Sequence, residues 1–350
     1  MDRSTVDVYE RRAREWEQAR SAGALDLAAA FTSRVPAGEP RLDLACGPGW
    51  HASHLGQPVV ATDAAVAMLE LVPGHAPDAL RVAHDLEAVP FRRGAFAGVW
   101  AHKCLMHIAK ERVPLALADL HHASAVGAAL HIRVTSDRAT AEQQDEFGGR
   151  HFAFWNPDHL TRVVVGAGYR VDEVHDDGEE WLDIEATRLR TLPDTVGPGM
   201  RLLIVGLNPS PLSADKGIGF FRPGNRFWPA ALASGIVTRD RDTRHALVEH
   251  AVGFSDLVKR ATAGAKEIAV DEYRAGADRV RALVEWLQPP TVLFAGLDGY
   301  RKVIDRHAIA GWQDRDFAGS RCYVMPNPSG LNAHTNVADV AAHMRTAYGL

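Results

Sequence analysis

Leu202-Leu203-Ile204-Val205-Gly206-Leu207-Asn208-Pro209-Ser210 decides how the C-terminal half of this chain is built. An unbroken apolar run without polar alternation predicts a strand over Leu202–Gly206, buried on both faces of a parallel sheet. In an open α/β sheet, ligands collect beyond the carboxyl ends of the strands. Asn208 falls at that end, and the proline after it stiffens the backbone, so its amide presents a donor and an acceptor from a rigid mount. Taken alone, such an asparagine reads as a turn or helix cap.

Working outward, the pattern after this strand predicts a helix over Asn225–Gly235, a helix over Tyr273–Gln288, and strands over Thr291–Gly296 and Arg321–Met325. Before it, strands are expected at Arg41–Ala45, Pro58–Thr62, Gly98–His102 and Ala129–Thr135, with helices such as Ala64–Leu71 and Pro114–Val126 between them. Strands alternating with helices mean a parallel sheet wrapped by helices. Between the two regions, Thr191-Leu192-Pro193-Asp194-Thr195-Val196-Gly197-Pro198-Gly199 is rich in Pro and Gly and reads as a linker. The expectation is α/β throughout, in two domains: residues 1–190, a linker at 191–199, and residues 200–350. The 350 residues suit two domains.

Composition narrows the class. No apolar stretch reaches the ~18 residues of a membrane span, and the charged N-terminus lacks the apolar core of a secretory signal. A cytoplasmic protein is expected. Three cysteines, Cys46, Cys104 and Cys322, are widely spaced and define neither a disulfide framework nor a metal pair. An ordinary Fe–S cluster needs four. The 17 histidines show no HExxH pattern, and neighbours such as His121 and His122 point to different helix faces, so no metal site is expected. Net charge is −5, but from Gly197 onward 19 Lys and Arg stand against 15 Asp and Glu, leaving that half at +4 and the rest at −9. A basic half suits a polyanion, although the excess is equally compatible with scattered solvated charge.

Three further stretches share the character of the first. Ser213 is followed by Gly217-Ile218-Gly219-Phe220-Phe221-Arg222-Pro223-Gly224-Asn225-Arg226-Phe227-Trp228, dense in Gly and aromatics. Gly253-Phe254-Ser255-Asp256-Leu257-Val258 comes next, and Pro326-Asn327-Pro328-Ser329-Gly330-Leu331-Asn332-Ala333-His334 closes the set. A leucine inside such a polar turn makes sense as a wedge entering a base stack. In this order and spacing the motifs resemble the mismatch-specific uracil/thymine-DNA glycosylase family, within the uracil-DNA glycosylase superfamily, over about residues 200–350. Gly206–Ser210 is close to the family's G-I-N-P-G, and Pro223–Trp228 to its P-[AG]-N-x-F-W.

The resemblance implies a short parallel sheet flanked by helices and a monofunctional glycosylase of DNA repair. It implies that Asn208 orients the water that attacks a flipped nucleotide, in a pocket formed by Gly206, Leu207, Ser213, Phe220, Asn225 and Ser255. Phe220 would stack on the base. Asn327, Ser329, Gly330, Leu331, Asn332 and His334, with Arg222 and Arg226, would meet the DNA, and Leu331 would fill the hole in the duplex. Flipping is least costly at a mismatch, which makes G·U and G·T pairs in double-stranded DNA the expected substrates. No cofactor is implied for this half. Asp256 stays open between a pocket residue and a surface charge, one of Phe220 and Phe221 is expected in the core, and so is Trp228. Ser210 replaces the family's Gly, and Asn332-Ala333 stand where Ser-Arg is usual, so the preferred opposite base stays open.

In the first half, Leu42-Asp43-Leu44-Ala45-Cys46-Gly47-Pro48-Gly49 is a strand running into a glycine turn that lets a ligand approach closely. Asp63 ends the next strand, where an acid can bind both hydroxyls of a ribose. Asp85-Leu86 and His102 follow at later strand ends. The set resembles class I S-adenosylmethionine-dependent methyltransferases, with a Rossmann-like fold, over about residues 1–190. It implies cofactor contacts from Asp43, Ala45, Gly47, Gly49, Asp63, Asp85, Leu86 and His102. No base-amine or cytosine-5 methylation motif is present, so the methyl acceptor is unknown. An alternative makes methyl transfer the main activity and the C-terminal half a DNA-targeting module. A third makes the N-terminal half a non-catalytic sensor or scaffold.

Overall fold

A computed structural model describes residues 1–140, 145–330, 332 and 335–350. They form two compact units: Met1–Val165 with Tyr169–Leu189, and Gly166–Gly168 with Arg190–Leu350. Among the described residues no helix is long and apolar enough to cross a membrane.

The first unit is built on seven strands: β1 (Arg41–Leu44), β2 (Val59–Asp63), β3 (Leu80–Ala83), β4 (Phe96–His102), β5 (Ser124–Thr135), β6 (Tyr169–Asp176) and β7 (Trp181–Arg188). Their order is β3-β2-β1-β4-β5-β7-β6. The first five are parallel, and β7 runs antiparallel to both β5 and β6. Every residue of β1 is buried, as a central parallel strand requires. Phe31 and Trp100 meet at 5.4 Å in the core between the sheet and the helix Leu25–Ser33. The single helix expected at 64–71 is instead two short turns, Val66–Leu69 and Val72–His75, the second entered through Pro73. The helix expected to reach Val126 ends at Ala123, and Ser124 already has extended backbone angles as β5 begins.

The second unit carries β8 (Leu202–Gly206), β9 (Val252–Asp256), β10 (Thr291–Ala295), β11 (Gly311–Trp312) and β12 (Arg321–Met325), in the order β11-β12-β10-β8-β9. All neighbours are parallel except β11 with β12. The helix Val270–Leu287 buries Tyr273, Gly276, Ala277, Val280, Val284 and Leu287, the spacing of one helical face. Gly276 is obligatory there, because a Cβ would stand 1.9 Å from the Leu257 carbonyl oxygen. Phe227, Trp228, Phe254, Leu293 and Met325 fill the core beside β8.

Residues 191–199, expected as a linker, fold as part of this unit. Thr195 exchanges two backbone hydrogen bonds with Phe254, at 2.9 and 2.8 Å. Asp194 is buried and takes Lys259 Nζ on one oxygen and Arg279 Nη1 on the other, each at 2.5 Å. Pro and Gly content signalled irregular backbone correctly, but irregular backbone here is packed rather than loose.

Candidate functional site

In the second unit, β8 delivers Gly206, Leu207 and Asn208 to the carboxyl edge of the sheet. The loop is stitched to the chain after β9: Leu257 N–H donates to the Gly206 carbonyl and Val258 N–H to that of Leu207, both at 2.8 Å. Asn208 is half-buried, and its Nδ2 donates to the Thr262 hydroxyl at 2.8 Å and to the carbonyls of Arg260 and Pro209 at 3.0 and 3.2 Å. The Thr262 hydroxyl spends its own proton on the Gly264 carbonyl at 3.0 Å, so it faces Asn208 as an acceptor. These acceptors identify the amide nitrogen and fix its orientation. Among the described residues Oδ1 has no protein partner and is left to accept from a water or ligand.

Phe220 closes this corner. It stacks on Phe227 with centroids 3.9 Å apart and planes 7° from parallel. It also holds a left-handed backbone at φ 57, an unusual conformation for an aromatic residue and one that marks functional segments. Gly206 faces Phe220 and Asp256: a Cβ on it would lie 3.4 Å from Phe220 Cζ and 2.5 Å from Asp256 Oδ1. The Asp256 carboxylate accepts no hydrogen bond among the described residues. Burial pushes it up to about 6, with the pull of Lys259 and Arg279 set against the repulsion of Asp194. The sequence left Asp256 open; what places it in the site is the β8–β9 register, Gly206 opposite Asp256.

Other expected residues take different posts. Ser255 is buried, donates to Asp194 at 2.6 Å and receives Arg279 at 3.1 Å, so it belongs to the ionic cluster rather than a pocket wall. Asn225 lies two residues before the helix Phe227–Ser234 and its side chain accepts from Phe227 N–H at 2.9 Å, which fixes the turn into that helix. Arg226, expected at a phosphate, spends Nη1 on the carbonyls of Ser329 and Asn332, both at 2.9 Å, and so clamps the last loop. Ser213 is buried, and its hydroxyl takes the Phe221 N–H at 3.4 Å, supporting the Phe220 turn. Asn327 lines a small cavity with Gly206 and Leu207 and caps Ser329 at 2.9 Å. Gly330 is required because a Cβ would stand 2.7 Å from the Gly224 carbonyl oxygen. Asn332 Nδ2 holds Asn327 O and the Thr335 hydroxyl at 3.1 and 3.0 Å. Arg222 is exposed. Leu331 and His334 lie outside the described residues.

In the first unit, a cavity of about 120 Å³ opens at the carboxyl ends of β1, β2 and β4, lined by Asp43, Ala45, Gly47, Asp63 and His102 among others. This is the crevice where the strand order reverses. Asp63 accepts from Gly47 N–H and Ala65 N–H, both at 2.9 Å, which ties the glycine turn to β2. Asp43 Oδ2 is buried without a partner among the described residues. Burial, with the charge of Asp63 beside it, pushes Asp43 up to about 8, and burial pushes Asp63 up to about 6. Gly49 turns the chain at φ 86, packed against Val72. Asp85 and Leu86 are not among the lining residues; Asp85 is bonded by the amino group of Met1. The sequence had not marked Tyr9 and Trp16 on the helix Arg3–Ala19, nor Trp50, His51 and Lys103, all of which line this cavity. Their separation along the chain hides that convergence.

Residues 193–348 match the model of the Uracil DNA glycosylase superfamily, and residues 42–127 match that of a methyltransferase domain. The chain therefore joins a methyltransferase domain with a Rossmann-like fold to a domain of the uracil-DNA glycosylase superfamily. Among solved structures, a complex titled DhpI-SAH is 21% identical over 53% of this chain and 96% of its own, with a TM-score of 0.43. An S-adenosylmethionine-dependent methyltransferase from Mesorhizobium loti is 18% identical over 47% of this chain and 100% of its own, at 0.40. One described as putative, from Listeria monocytogenes, is 15% identical over 47% and 99%, at 0.40.

Proposed function

We propose that the second unit hydrolyses the N-glycosidic bond of uracil or thymine in G·U and G·T mismatches of double-stranded DNA, as a monofunctional repair glycosylase. The observation that carries this is Asn208, whose amide is immobilised through nitrogen and whose Oδ1 has no partner among the described residues, two positions after Gly206, which faces Phe220 and Asp256. An amide cannot remove a proton, but it can hold a water in line for attack. Asp256, with an acidity near 6, is matched to take that water's proton at neutral pH. Lys259 is committed to Asp194 and supplies no free amine for a covalent route. Phe220 would carry the flipped base, and Arg222 the adjacent backbone phosphate. Gly330, Asn327, Ser329, Asn332 and the residues Leu331 and His334 would meet the duplex.

The first unit is proposed to bind S-adenosylmethionine in the cavity at the carboxyl ends of β1, β2 and β4. The unpartnered Asp43 oxygen and the burial that makes Asp43 and Asp63 weaker acids than usual call for donors or positive charge. The cofactor's ammonium and ribose hydroxyls bring both. Asp43 and Gly47 would hold the amino-acid end, and Asp63 the ribose. Bound there, the cofactor supplies an electrophilic methyl group.

The test is single-turnover uracil release from a G·U duplex by the full chain and by Asn208→Ala. Loss of release with duplex binding kept is expected. Wild-type release by the variant would overturn the assignment.

A further inference from the structure

Behind the cavity of the first unit lies a chain of groups that cofactor binding leaves without a task. His131 is fully buried on β5. Its Nδ1 stands 2.6 Å from Glu185 Oε1 on β7, and its Nε2 stands 3.3 Å from His102 Nδ1 on β4. The ring of Trp100 fixes the planes, 3° from parallel with His102 and 14° with His131.

The proton positions follow from the carboxylate. Glu185 is ion-paired with Arg34, and an ionised carboxylate only accepts. His131 therefore donates from Nδ1 and keeps a lone pair on Nε2. That lone pair accepts the Nδ1–H of His102, which leaves His102 Nε2 unprotonated. Asp183 lies 3.7 Å from His131 Nε2, beyond hydrogen-bonding range, and Arg133 occupies both its oxygens at 2.7 and 2.6 Å. Among the described residues His102 Nε2 has no protein partner.

His102 also stands at a junction. It lines the cavity that holds Asp43 and Asp63, and it lines a second chamber of about 500 Å³. That chamber is walled by Trp16, Trp50, Phe152 and Trp181 and is also lined by charged groups, in which the cations Arg20, Lys103, Arg133 and Arg150 outnumber the carboxylates Glu146 and Glu180. Aromatic walls around such a volume suit a small flat molecule. The Lys103 ammonium sits 3.7 Å from the Trp181 ring centroid, where it can face a developing oxyanion.

We propose that His102 is the general base of methyl transfer in this unit, taking a proton from the hydroxyl of a small phenolic acceptor held in the chamber. His131 and Glu185 are positioning residues that fix its tautomer. The proposal rests on the cofactor reading above. As the O–H bond breaks, its proton passes to His102 Nε2 and the oxygen's electron pair forms the bond to the methyl carbon. The pair of the broken S–C bond remains on sulfur. The imidazole begins neutral: burial, with the cations Arg133 and Lys103 nearby, holds it well below the usual histidine range until an oxyanion forms beside it. His51 packs edge-on at 4.7 Å and directs its Nε2 to the Gly23 carbonyl at 2.7 Å, so it does not compete for the chamber.

The test uses the full chain with S-adenosylhomocysteine, whose binding is first measured by calorimetry. Long-range 1H–15N NMR of histidine-labelled protein, assigned by His102→Gln, should find His102 protonated on Nδ1 and bare on Nε2. Glu185→Gln and His131→Asn should move that proton toward Nε2 while leaving S-adenosylhomocysteine binding unchanged. As acceptor probe, 4-nitrophenol should bind the wild type as phenolate, read by absorbance. In His102→Gln it should need a pH about one unit higher to ionise. A native His102 carrying its proton on Nε2, or a probe whose ionisation ignores His102→Gln, would overturn the proposal while leaving cofactor binding intact. Failure of S-adenosylhomocysteine to bind would overturn both readings, and calorimetry reports that separately.

Discussion

Asp256→Asn should make the second unit more stable and far less active at the same time. The wild-type carboxyl titrates at about 6 in the folded protein against 3.8 for an ordinary aspartate, raised first by burial. A group that binds its proton more tightly when folded disfavours the folded state once ionised. The penalty is complete above pH 6, fades as pH falls from 6 toward 4, and is absent below the unfolded value. A displacement of roughly two pH units corresponds to about 3 kcal/mol. Asparagine cannot ionise, so at pH 7.5 the variant should gain about 3 kcal/mol, on the order of 6–12 °C in Tm for a domain of this size. The gain should vanish near pH 4. If Asp256 accepts the water's proton, base release should fall by about 10²–10⁴-fold. The wild-type single-turnover rate should also drop tenfold per pH unit below about 6, a limb the variant lacks. Calorimetric scans from pH 4 to 7.5, paired with uracil release over the same range, measure both. A variant that melts below the wild type at pH 7.5, or one that keeps the wild-type rate, would refute the reasoning.

Phe220→Ala should weaken binding to a G·U duplex by about 1–3 kcal/mol, the usual worth of one stacked base, as read by fluorescence anisotropy. Its fold should survive, because the ring is only half-buried. Asp194→Asn leaves Lys259 and Arg279 buried beside an uncharged amide and should cost about 3–5 kcal/mol in denaturant titration. Although burial opposes it, Arg279 and Lys259 hold Asp194 below the normal carboxylate range, so its stabilisation is present above pH 4 and is lost as pH falls through the lowered value. Affinity of the full chain for duplex DNA should fall linearly in log–log terms with salt, because phosphate contacts release counterions; a flat response would remove DNA as the partner.

What was legible in the sequence, and what was not, divides along a physical line. Leu202–Gly206 was readable to the residue because a strand buried on both faces must be apolar throughout, and Arg321–Met325 because every residue after the exposed arginine is apolar and buried. Strand β6, mostly exposed at the sheet edge, carries Arg170, Asp172 and Glu173 and gives no such signal. Strand β7 was hidden for another reason: it buries charged Asp183 beside Leu182 and Ile184, and a charge is affordable there only because Arg133 arrives from β5. The same holds at the sites. Asn208 could be singled out because the strand before it and the proline after it are contiguous in sequence, whereas the acceptors that orient its amide, Thr262 and Arg260, lie more than 50 positions on. Asp256 and Glu185 could not, since each acquires its meaning from a residue about 50 positions away: Gly206 across the β8–β9 ladder, His131 across the β5–β7 ladder. Residues 191–199 make the point most sharply. Prolines and glycines announce an irregular backbone, but only the distant cations Lys259 and Arg279 decide that Asp194 is buried rather than solvated. Chemistry written in contiguous residues can be read from one strand tip, whereas chemistry assembled by register requires the sheet.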